Sequence, residues 1–306
     1  MQGWPKILEA RLKLTQPSPP KSAIFVVATP IGNLDDISQR AIRILKNVDL
    51  IAAEDTRRAG QLLKQIGRDK VELISYYDQV EQEKAATIVE RLLRENLTMA
   101  LISDAGTPCI SDPGYRLIRE ARLRGLTVHP IPGPSALTAL VSASGLPSDR
   151  LLFIGFLPSK KAALTKEIMS WRGLRASIVF YEAPRRLLQT LKVIELHYPN
   201  AEVVVGRELT KLHEEIISTD VKGAQLWCTD HEFLKGEASV MISLGADAET
   251  PEQVLANGVE QLTNEARQGF KAGLTLKDLL QKFKDRGLSR SDLYQLLLDA
   301  KDKPHE

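Results

Sequence analysis

The sequence lacks the features that mark several large classes of protein. Its 306 residues include two cysteines, Cys109 and Cys228, which lie far apart and without metal-ligand spacing. A structural disulfide is therefore not expected, and a reducing compartment is the default. No apolar run approaches the ~18–20 residues that span a membrane, and the N-terminal segment has no apolar signal-peptide region. We expect a cytoplasmic protein without a membrane partner.

Charge of one sign and several catalytic signatures are also missing. With 41 Lys and Arg against 39 Asp and Glu, the net charge is +2, so any basic surface must be local. The five histidines show no metal-binding spacing, and we expect no metal. Neither G-x-G-x-x-G nor G-x-x-x-x-G-K-[ST] occurs, which removes the common phosphate-binding motifs. No nucleophile elbow or Ser-His-Asp order is visible.

What the chain does contain is an alternation of short apolar runs and helical patterns. Apolar runs without in/out alternation are typical of buried parallel strands, and the repeated order of strand, loop and helix favours an α/β fold. A helix is expected over Ile37–Val48, capped by Asp35 or Asp36. The closer spacing of the later strands indicates some antiparallel pairing. The predicted strands are Ala23–Ala28, Leu50–Ala53, Met99–Ser103, Thr127–Ile131, Ser177–Tyr181, Glu202–Val205, Glu215–Ser218 and Ala238–Leu244.

These patterns divide the chain into four parts. Residues 1–21 are predicted to be a flexible tail, 22–134 a first α/β domain, 135–246 a second α/β domain and 247–306 a helical C-terminal domain. The last part carries six basic residues against two acidic ones between residues 271 and 290. This helix face is either simply solvated or in contact with RNA, and the sequence leaves both open.

Three strand-end loops have no Lys or Arg. They are Thr29–Asp36, Ser103–Tyr115 and Pro130–Ala139, and the first two contain Asp. In open α/β sheets, ligands bind beyond the carboxyl ends of the strands. A stiff, neutral-to-acidic crevice suits a neutral or cationic ligand, and the sulfonium of S-adenosylmethionine fits this description. Gly and Pro could instead serve only to make turns, but three such loops at strand ends argue against that.

Basic residues cluster in other loops. If those loops surround the same crevice, a polyanion is the natural second substrate, bound through its phosphates. For any single residue the alternative is an ordinary solvated surface charge. The residues predicted to contact this polyanion, which the family resemblance described below identifies as RNA, are Arg57, Arg58, Lys160, Lys161, Arg186 and Arg207.

Several motifs resemble one known family. The chain segments VATPIGNLDDI, AEDTRR, LISDAGTPCISDPGY, PIPGPSALTAL, SGLPSDRLLFIGFLP, FYEAPRR, VVVGRELTKLHEE and KGEASVMI, spread over about Ile24–Leu244, are similar to the ribosomal RNA small-subunit methyltransferase I family of the tetrapyrrole methylase superfamily. The resemblance implies an α/β fold in which two α/β domains of tetrapyrrole-methylase type enclose a cofactor cleft, followed by a small C-terminal helical appendage. It also implies a homodimer.

The same resemblance implies an activity and a cofactor site. The activity would be S-adenosylmethionine-dependent methylation of the ribose 2′-hydroxyl of a cytidine in the decoding region of small-subunit (16S) ribosomal RNA, within the small ribosomal subunit. Ala59 and Arg185 depart from residues that are common in relatives, so neither receives a role. The implied cofactor-binding residues are Pro30, Gly32, Asp104, Ala105, Gly106, Thr107, Ser135, Ala136, Tyr181 and Leu209.

The identity of the catalytic residues is a hypothesis. Lys211 or Glu182 is expected to orient or deprotonate the hydroxyl, with Asp55 and Glu54 as further candidates and Arg57 and Arg207 on phosphates. Two alternatives stay open, a tetrapyrrole methyltransferase and a non-catalytic RNA-binding assembly factor. The first is less favoured because a small macrocycle requires neither a helical tail nor a set of basic loops.

Overall fold

The structure is a computed structural model that describes residues 22–230, 236–244, 251–283 and 290–302. The predicted tail, residues 1–21, lies outside the described residues. So do residues 284–289, which carry part of the basic C-terminal segment. Among the described helices, none combines the length and the apolar composition needed to cross a bilayer.

The first domain is a five-stranded sheet in which all strands are parallel. The strands follow the order β3-β2-β4-β1-β5. Consecutive residues of one strand pack on opposite faces, so that Ile51 contacts one helical layer while Leu50 and Ala52 contact the other. Burial on both faces explains the continuous apolar runs. The elements are β1 Ala23–Val27, α1 Gln39–Asn47, β2 Leu50–Ala53, α2 Thr56–Gln65, β3 Glu72–Ser75, α3 Asp78–Glu95, β4 Thr98–Ile102, α4 Tyr115–Leu123 and β5 Thr127–Ile131.

The second domain is built on a mixed sheet of order β6-β7-β10-β8-β9. Strands β6 and β7 are parallel, whereas β10 is antiparallel to both β7 and β8, and β9 is antiparallel to β8. The predicted antiparallel pairing is thus confirmed. Helix α5 covers one face, while α6, α7 and α8 cover the other. The elements are α5 Ala136–Ser144, β6 Leu151–Phe156, α6 Lys161–Met169, β7 Ser177–Glu182, α7 Pro184–His197, β8 Glu202–Arg207, β9 Glu215–Asp220, α8 Val221–Asp230 and β10 Ala238–Ser243.

The edge strand β6 contains a β-bulge that shifts its register against β7. Phe153 lies opposite Val179, but the next pairs are Gly155 with Phe180 and Phe156 with Tyr181. Gly155 adopts a φ of +75°, in the left-handed region that favours glycine. Because of the extra residue, Phe156 takes the place opposite Tyr181 that Gly155 would otherwise occupy.

The C-terminal part is a small helical unit. Its helices are α9 Pro251–Lys271, α10 Leu276–Phe283 and α11 Arg290–Asp302. They contribute Ala266, Leu279 and Leu297, one from each helix, to a shared buried core. The predicted α/β fold with a helical appendage is therefore confirmed. The predicted domain limits stay predictions.

Two strands and one helix cap were not predicted correctly. Strand β3 is only four residues long at a sheet edge, and β6 is interrupted by Gly155, so neither shows a clear strand pattern. The cap of α1 is Ser38, whose hydroxyl accepts from the Ala41 N–H at 3.1 Å, because Asp35 and Asp36 belong to a separate 3₁₀ turn.

Candidate functional site

A pocket of about 380 Å³ lies where the carboxyl ends of the first sheet face the second domain. The loops after β1, β2, β4 and β5 form one wall, and the ends of β6 and β7 with the start of β10 form the other. The first wall consists of Ile31, Glu54, Arg58, 104–107, 110–112, Ser135 and Ala136, and the second of Phe156, 181–183 and 236–239.

The loop after β4 ties the first-wall loops together. Thr29 and Gly106 exchange two main-chain hydrogen bonds of 2.9 and 3.0 Å. The Thr107 hydroxyl donates to the Pro134 carbonyl at 3.2 Å, and the Asp55 N–H donates to Asp104 Oδ1 at 3.0 Å. Loops from four strands are thus held in one arrangement through a single short segment.

Three acidic side chains line this wall. Burial raises the pKa of Asp112 to about 6; the Ser103 hydroxyl partly offsets this effect, and the negative charges of Glu54 and Asp104 add to it. Burial, together with Asp104, also raises the pKa of Glu54. Asp104 itself pairs with Arg58, Nη1 to Oδ2 at 3.2 Å. The wall presents negative charge that favours a bound cation.

The predicted cofactor residues divide between the pocket and its margin. Asp104, Ala105, Gly106, Thr107, Ser135, Ala136 and Tyr181 line the pocket, whereas Pro30, Gly32 and Leu209 do not. The last two meet where the domains touch: a Cβ on Gly32 would collide with Lys211 Cγ and lie 2.8 Å from Thr210 Oγ1. The glycine thus allows the loop after β1 to approach the loop after β8.

Lys211 does not line the pocket, but it forms an ion pair with a residue that does. Its Nζ donates to Glu208 Oε1 at 2.9 Å and to the pocket residue Glu237 at 3.3 Å. Partial burial opposes the charge, but these carboxylates outweigh burial and raise the pKa of Lys211 above its usual value. A lysine with a raised pKa is protonated near neutral pH, so the geometry favours orientation over proton removal.

Glu182 lines the pocket, but its oxygens are engaged by the second domain. Oε1 accepts from the Ala183 N–H and Oε2 from the Thr190 hydroxyl, each at 2.8 Å. Arg186 lies 3.4 Å from the same carboxylate and also donates to the carbonyls of residues 157 and 158. These contacts fix the start of α7. They favour a structural role for Glu182 and Arg186, and the predicted catalytic and RNA-binding roles stay predictions.

Asp55 and its neighbour Arg57 lie outside the pocket lining. Asp55 caps α2 by accepting from the Arg57 N–H at 2.8 Å, and the Arg57 guanidinium, which is largely exposed, holds the pKa of this carboxyl well below its usual range. Asp55 is therefore a poor proton acceptor. Arg58, one residue further on, does line the pocket with a side chain that is 67% exposed.

The remaining predicted RNA contacts differ in exposure. Lys160 and Lys161 are exposed at the start of α6, a few residues beyond Phe156. The Arg207 side chain is only 19% exposed and pairs with Glu215 at 3.4 Å, and its Nε is buried without a hydrogen-bond partner among the described residues. Arg207 is thus packed into the protein and is not placed to hold a phosphate.

The pocket residues that were not singled out from the sequence include Asp112, Phe156 and Glu237. Asp112 lies in the loop Ser103–Tyr115, which was predicted to be part of the ligand site because it has no Lys or Arg, but Asp112 itself was not predicted to contact the ligand. Phe156 follows a glycine in an unrecognised strand. The described residues contain no cluster of His, Cys, Asp and Glu side chains suited to a metal ion.

Comparisons with known proteins agree with this architecture. The family model described as Tetrapyrrole (Corrin/Porphyrin) Methylases matches residues 23–225. The ribosomal RNA small subunit methyltransferase I of Halalkalibacterium halodurans is 37% identical, over 90% of this chain and 94% of that protein. The protein of the same name from Escherichia coli O157:H7 is 42% identical, over 74% of this chain and 79% of that protein.

Solved structures share the fold at low sequence identity. The crystal structure of the methyltransferase CobJ is similar with a TM-score of 0.56 and 16% identity, covering 72% of this chain and 94% of that one. The crystal structure of diphthine synthase gives a TM-score of 0.54 and 14% identity, covering 72% and 90%. At these identities the likeness establishes the fold alone.

Proposed function

The chain belongs to the tetrapyrrole methylase superfamily and, within it, to the ribosomal RNA small subunit methyltransferase I family, and we propose that it methylates the ribose 2′-hydroxyl of a cytidine in the decoding region of 16S ribosomal RNA. The methyl donor is S-adenosylmethionine. The substrate is RNA within the small ribosomal subunit, and the enzyme acts as a cytoplasmic homodimer.

One observation carries this proposal: the pocket combines half-buried carboxylates with an exposed arginine and an exposed aromatic ring. Glu54, Asp104 and Asp112 are half-buried in the first wall, whereas the side chains of Arg58, Phe156 and Glu237 are largely exposed. A cationic cofactor is attracted to the half-buried carboxylates. The exposed Arg58 offers positive charge to the phosphates of a polyanion.

The residues present fit S-adenosylmethionine, which supplies a methyl group on a positively charged sulfur. A pocket of about 380 Å³ lies within the ~300–1,000 Å³ range of ligand sites. The raised pKa of Asp112 shows a carboxyl whose charge is opposed by burial and by Glu54 and Asp104, and a bound cation would relieve this. Asp112 and Glu54 would hold the positive part of the cofactor, and 104–107 with Ser135 would hold its polar groups.

The protein's contribution to the transfer is chiefly alignment. A hydroxyl that is held in line with the methyl carbon gains up to roughly 7–11 kcal/mol from orientation. Among the three predicted catalytic side chains, we retain Lys211, whose protonated amine can orient the ribose or a neighbouring phosphate from the rim. Glu182 and Asp55 are committed to the starts of α7 and α2.

The test is methyl transfer from labelled S-adenosylmethionine to small ribosomal subunits and to naked ribosomal RNA, both taken from a strain that lacks this enzyme. Nuclease digestion and nucleoside mass spectrometry identify the product. We expect 2′-O-methylcytidine. Measurable cofactor binding without any methylated nucleoside would overturn the proposal, and precorrin-type tetrapyrroles would be assayed next.

A further inference from the structure

We propose that Phe156 is a stacking platform for a nucleobase of the RNA substrate at the mouth of the pocket. The inference rests on the proposed function and deepens it by naming a positioning residue for the substrate. It is carried by the exposure of the ring, by the bulge that places it and by the aromatic support beneath it.

Phe156 is exposed where a phenylalanine has no structural reason to be. Its 63% exposure is the highest of any described Phe or Tyr, and yet it lines the pocket. Ile110, which is 40% exposed, lines the same pocket, and exposed apolar side chains grouped at a ligand site are typical of a surface that is covered on binding. Single-stranded RNA offers such a cover, because unstacked bases pack on aromatic side chains.

The bulge in β6 is the device that brings the ring to the pocket. The extra residue places Phe156 opposite Tyr181, so that both rings lie on the sheet face that carries Phe153 and Val179. Without it, Gly155 would stand there and Phe156 would point to the other face, because side chains alternate along a strand. β-Bulges beside active sites commonly re-aim a side chain in this way.

Tyr181 fixes the orientation of the platform. The rings of Phe156 and Tyr181 meet edge to face, with centroids 5.6 Å apart and an interplanar angle of 62°. Tyr181 in turn packs edge to face on Phe153, with centroids 5.0 Å apart. An edge-to-face contact uses one side of the Phe156 ring and leaves a face for stacking.

The surroundings favour a nucleobase over the adenine of the cofactor. Phe156 belongs to the mouth, and Lys160 and Lys161 follow it on an exposed stretch that can meet phosphates. Asp112 and Glu54, which suit a cation, lie on the opposite wall, and Glu237 on the wall of Phe156 is paired with Lys211. An exposed aromatic ring followed in the chain by exposed basic residues matches the composition of single-stranded nucleic-acid surfaces.

The experiment compares Phe156→Ala, Phe156→Leu and Phe156→Tyr with the wild type. Loss of one base–aromatic stack is worth about 5- to 150-fold in affinity. We expect KM for the RNA substrate to rise by that factor in Phe156→Ala and Phe156→Leu and to be largely restored in Phe156→Tyr. The Kd for S-adenosylmethionine, measured by calorimetry, should stay within about twofold. Leu196→Ala serves as the control, because Leu196 is 79% exposed on α7 and does not line the pocket.

A second measurement separates stacking from charge. Direct binding to ribosomal RNA is followed over a range of salt concentrations. Phe156→Ala should weaken binding without changing the slope of log K against log salt concentration, whereas a Lys160→Ala, Lys161→Ala double variant should reduce that slope.

Three results would overturn the inference. The first is an unchanged KM for RNA in Phe156→Ala while the wild type is active. The second is a cofactor Kd that rises together with KM, because the ring then covers the cofactor. The third is a wild type that neither methylates nor binds RNA, which removes the proposed function as well. A wild type that binds RNA without methylating it refutes only the proposed function, and the binding arm still decides the role of Phe156.

Discussion

The two walls of the pocket use carboxylates in opposite ways. On the second wall, Glu182 is fully buried and accepts hydrogen bonds from Ala183 and Thr190 beside Arg186. On the first wall, Asp112 and Glu54 lie among like charges, and burial raises the pKa of both. The difference shows that the acidity of a pocket residue does not by itself assign it to the ligand. What matters is whether the protein has already satisfied its charge.

The largest expected effect comes from breaking the satisfied carboxylate. Glu182→Ala removes the acceptor for the Thr190 hydroxyl and leaves Arg186 without its anion, so we expect the second domain to lose about 3–5 kcal/mol of stability. Denaturant unfolding followed by circular dichroism measures this loss. Glu90→Ala, on the exposed face of α3, is the control and should change stability by less than about 0.5 kcal/mol. Equal midpoints for the two variants would show that Glu182 is not a structural anchor.

Replacement of the unsatisfied carboxylate of Asp112 should change cofactor affinity rather than the stability of the fold. Asp112→Asn removes a charge that would contact the cationic cofactor, so we expect the Kd for S-adenosylmethionine to rise on the order of 10- to 100-fold with little loss of folding. Glu237→Gln, an exposed carboxylate of the opposite wall, should have a smaller effect. A Kd equal to that of the wild type in Asp112→Asn would contradict the division between the walls.

The same charge makes cofactor binding depend on pH. The carboxylate form of Asp112 attracts the cation, and its pKa is raised to about 6, so affinity should fall as the pH drops through about 6. Glu54 acts in the same direction, since its pKa is also raised. Isothermal titration between pH 5 and pH 8, over a range set by these shifts, measures the change. In Asp112→Asn, cofactor affinity should depend less on pH. If the pH dependence in that variant equals that of the wild type, a group other than Asp112 is responsible for it.

Lys211 lies at the rim of the pocket, and its proposed role is to orient the substrate. Because its pKa is raised, we expect the cation rather than a free amine to act, so Lys211→Arg should keep more activity than Lys211→Met. A loss of about tenfold in kcat for Lys211→Met, with the cofactor Kd unchanged, is the expected result. If Lys211→Met had wild-type turnover, the orienting role would be excluded.

The smallest expected effect concerns the point where the walls touch. In Gly155→Ala, the new Cβ would lie 2.7 Å from Ser111 Oγ at a φ of +75°, so we expect a cost of about 1–2 kcal/mol. The matched change Gly60→Ala lies in α2 with open space around it and should stabilise by about 0.5–1 kcal/mol. Thermal unfolding of the two variants checks the opposite signs.

The parallel core was predictable from the sequence, whereas the division between the walls was not. Strands β1, β2 and β4 are apolar on both faces, and that pattern is local. The environment of Asp112 depends on Glu54 and Asp104, and Glu54 lies almost sixty residues earlier in the chain. A pattern that covers a few neighbouring residues cannot reveal an interaction between residues so far apart in the sequence.

The sequence around Glu182 contains a regular spacing of polar residues. Glu182, Arg186 and Thr190 are spaced by four residues, and this spacing aligns side chains along one face of a helix. A carboxylate that precedes a helix with such partners is expected to form its contacts within its own domain. Phe156 gave no comparable signal, because the bulge that aims it depends on the pairing of β6 with β7.

The loop after β4 also has a thermodynamic consequence. Since hydrogen bonds through Thr29, Asp104, Gly106 and Thr107 order four loops when the chain folds, ligand binding at this edge loses little conformational entropy. Because the binding site exists only while these loops are folded, a bound ligand raises the free energy of unfolding. A free ligand concentration of 100 times Kd raises it by about 2.7 kcal/mol for the first domain, so the thermal unfolding temperature reports how much of the protein has bound the cofactor.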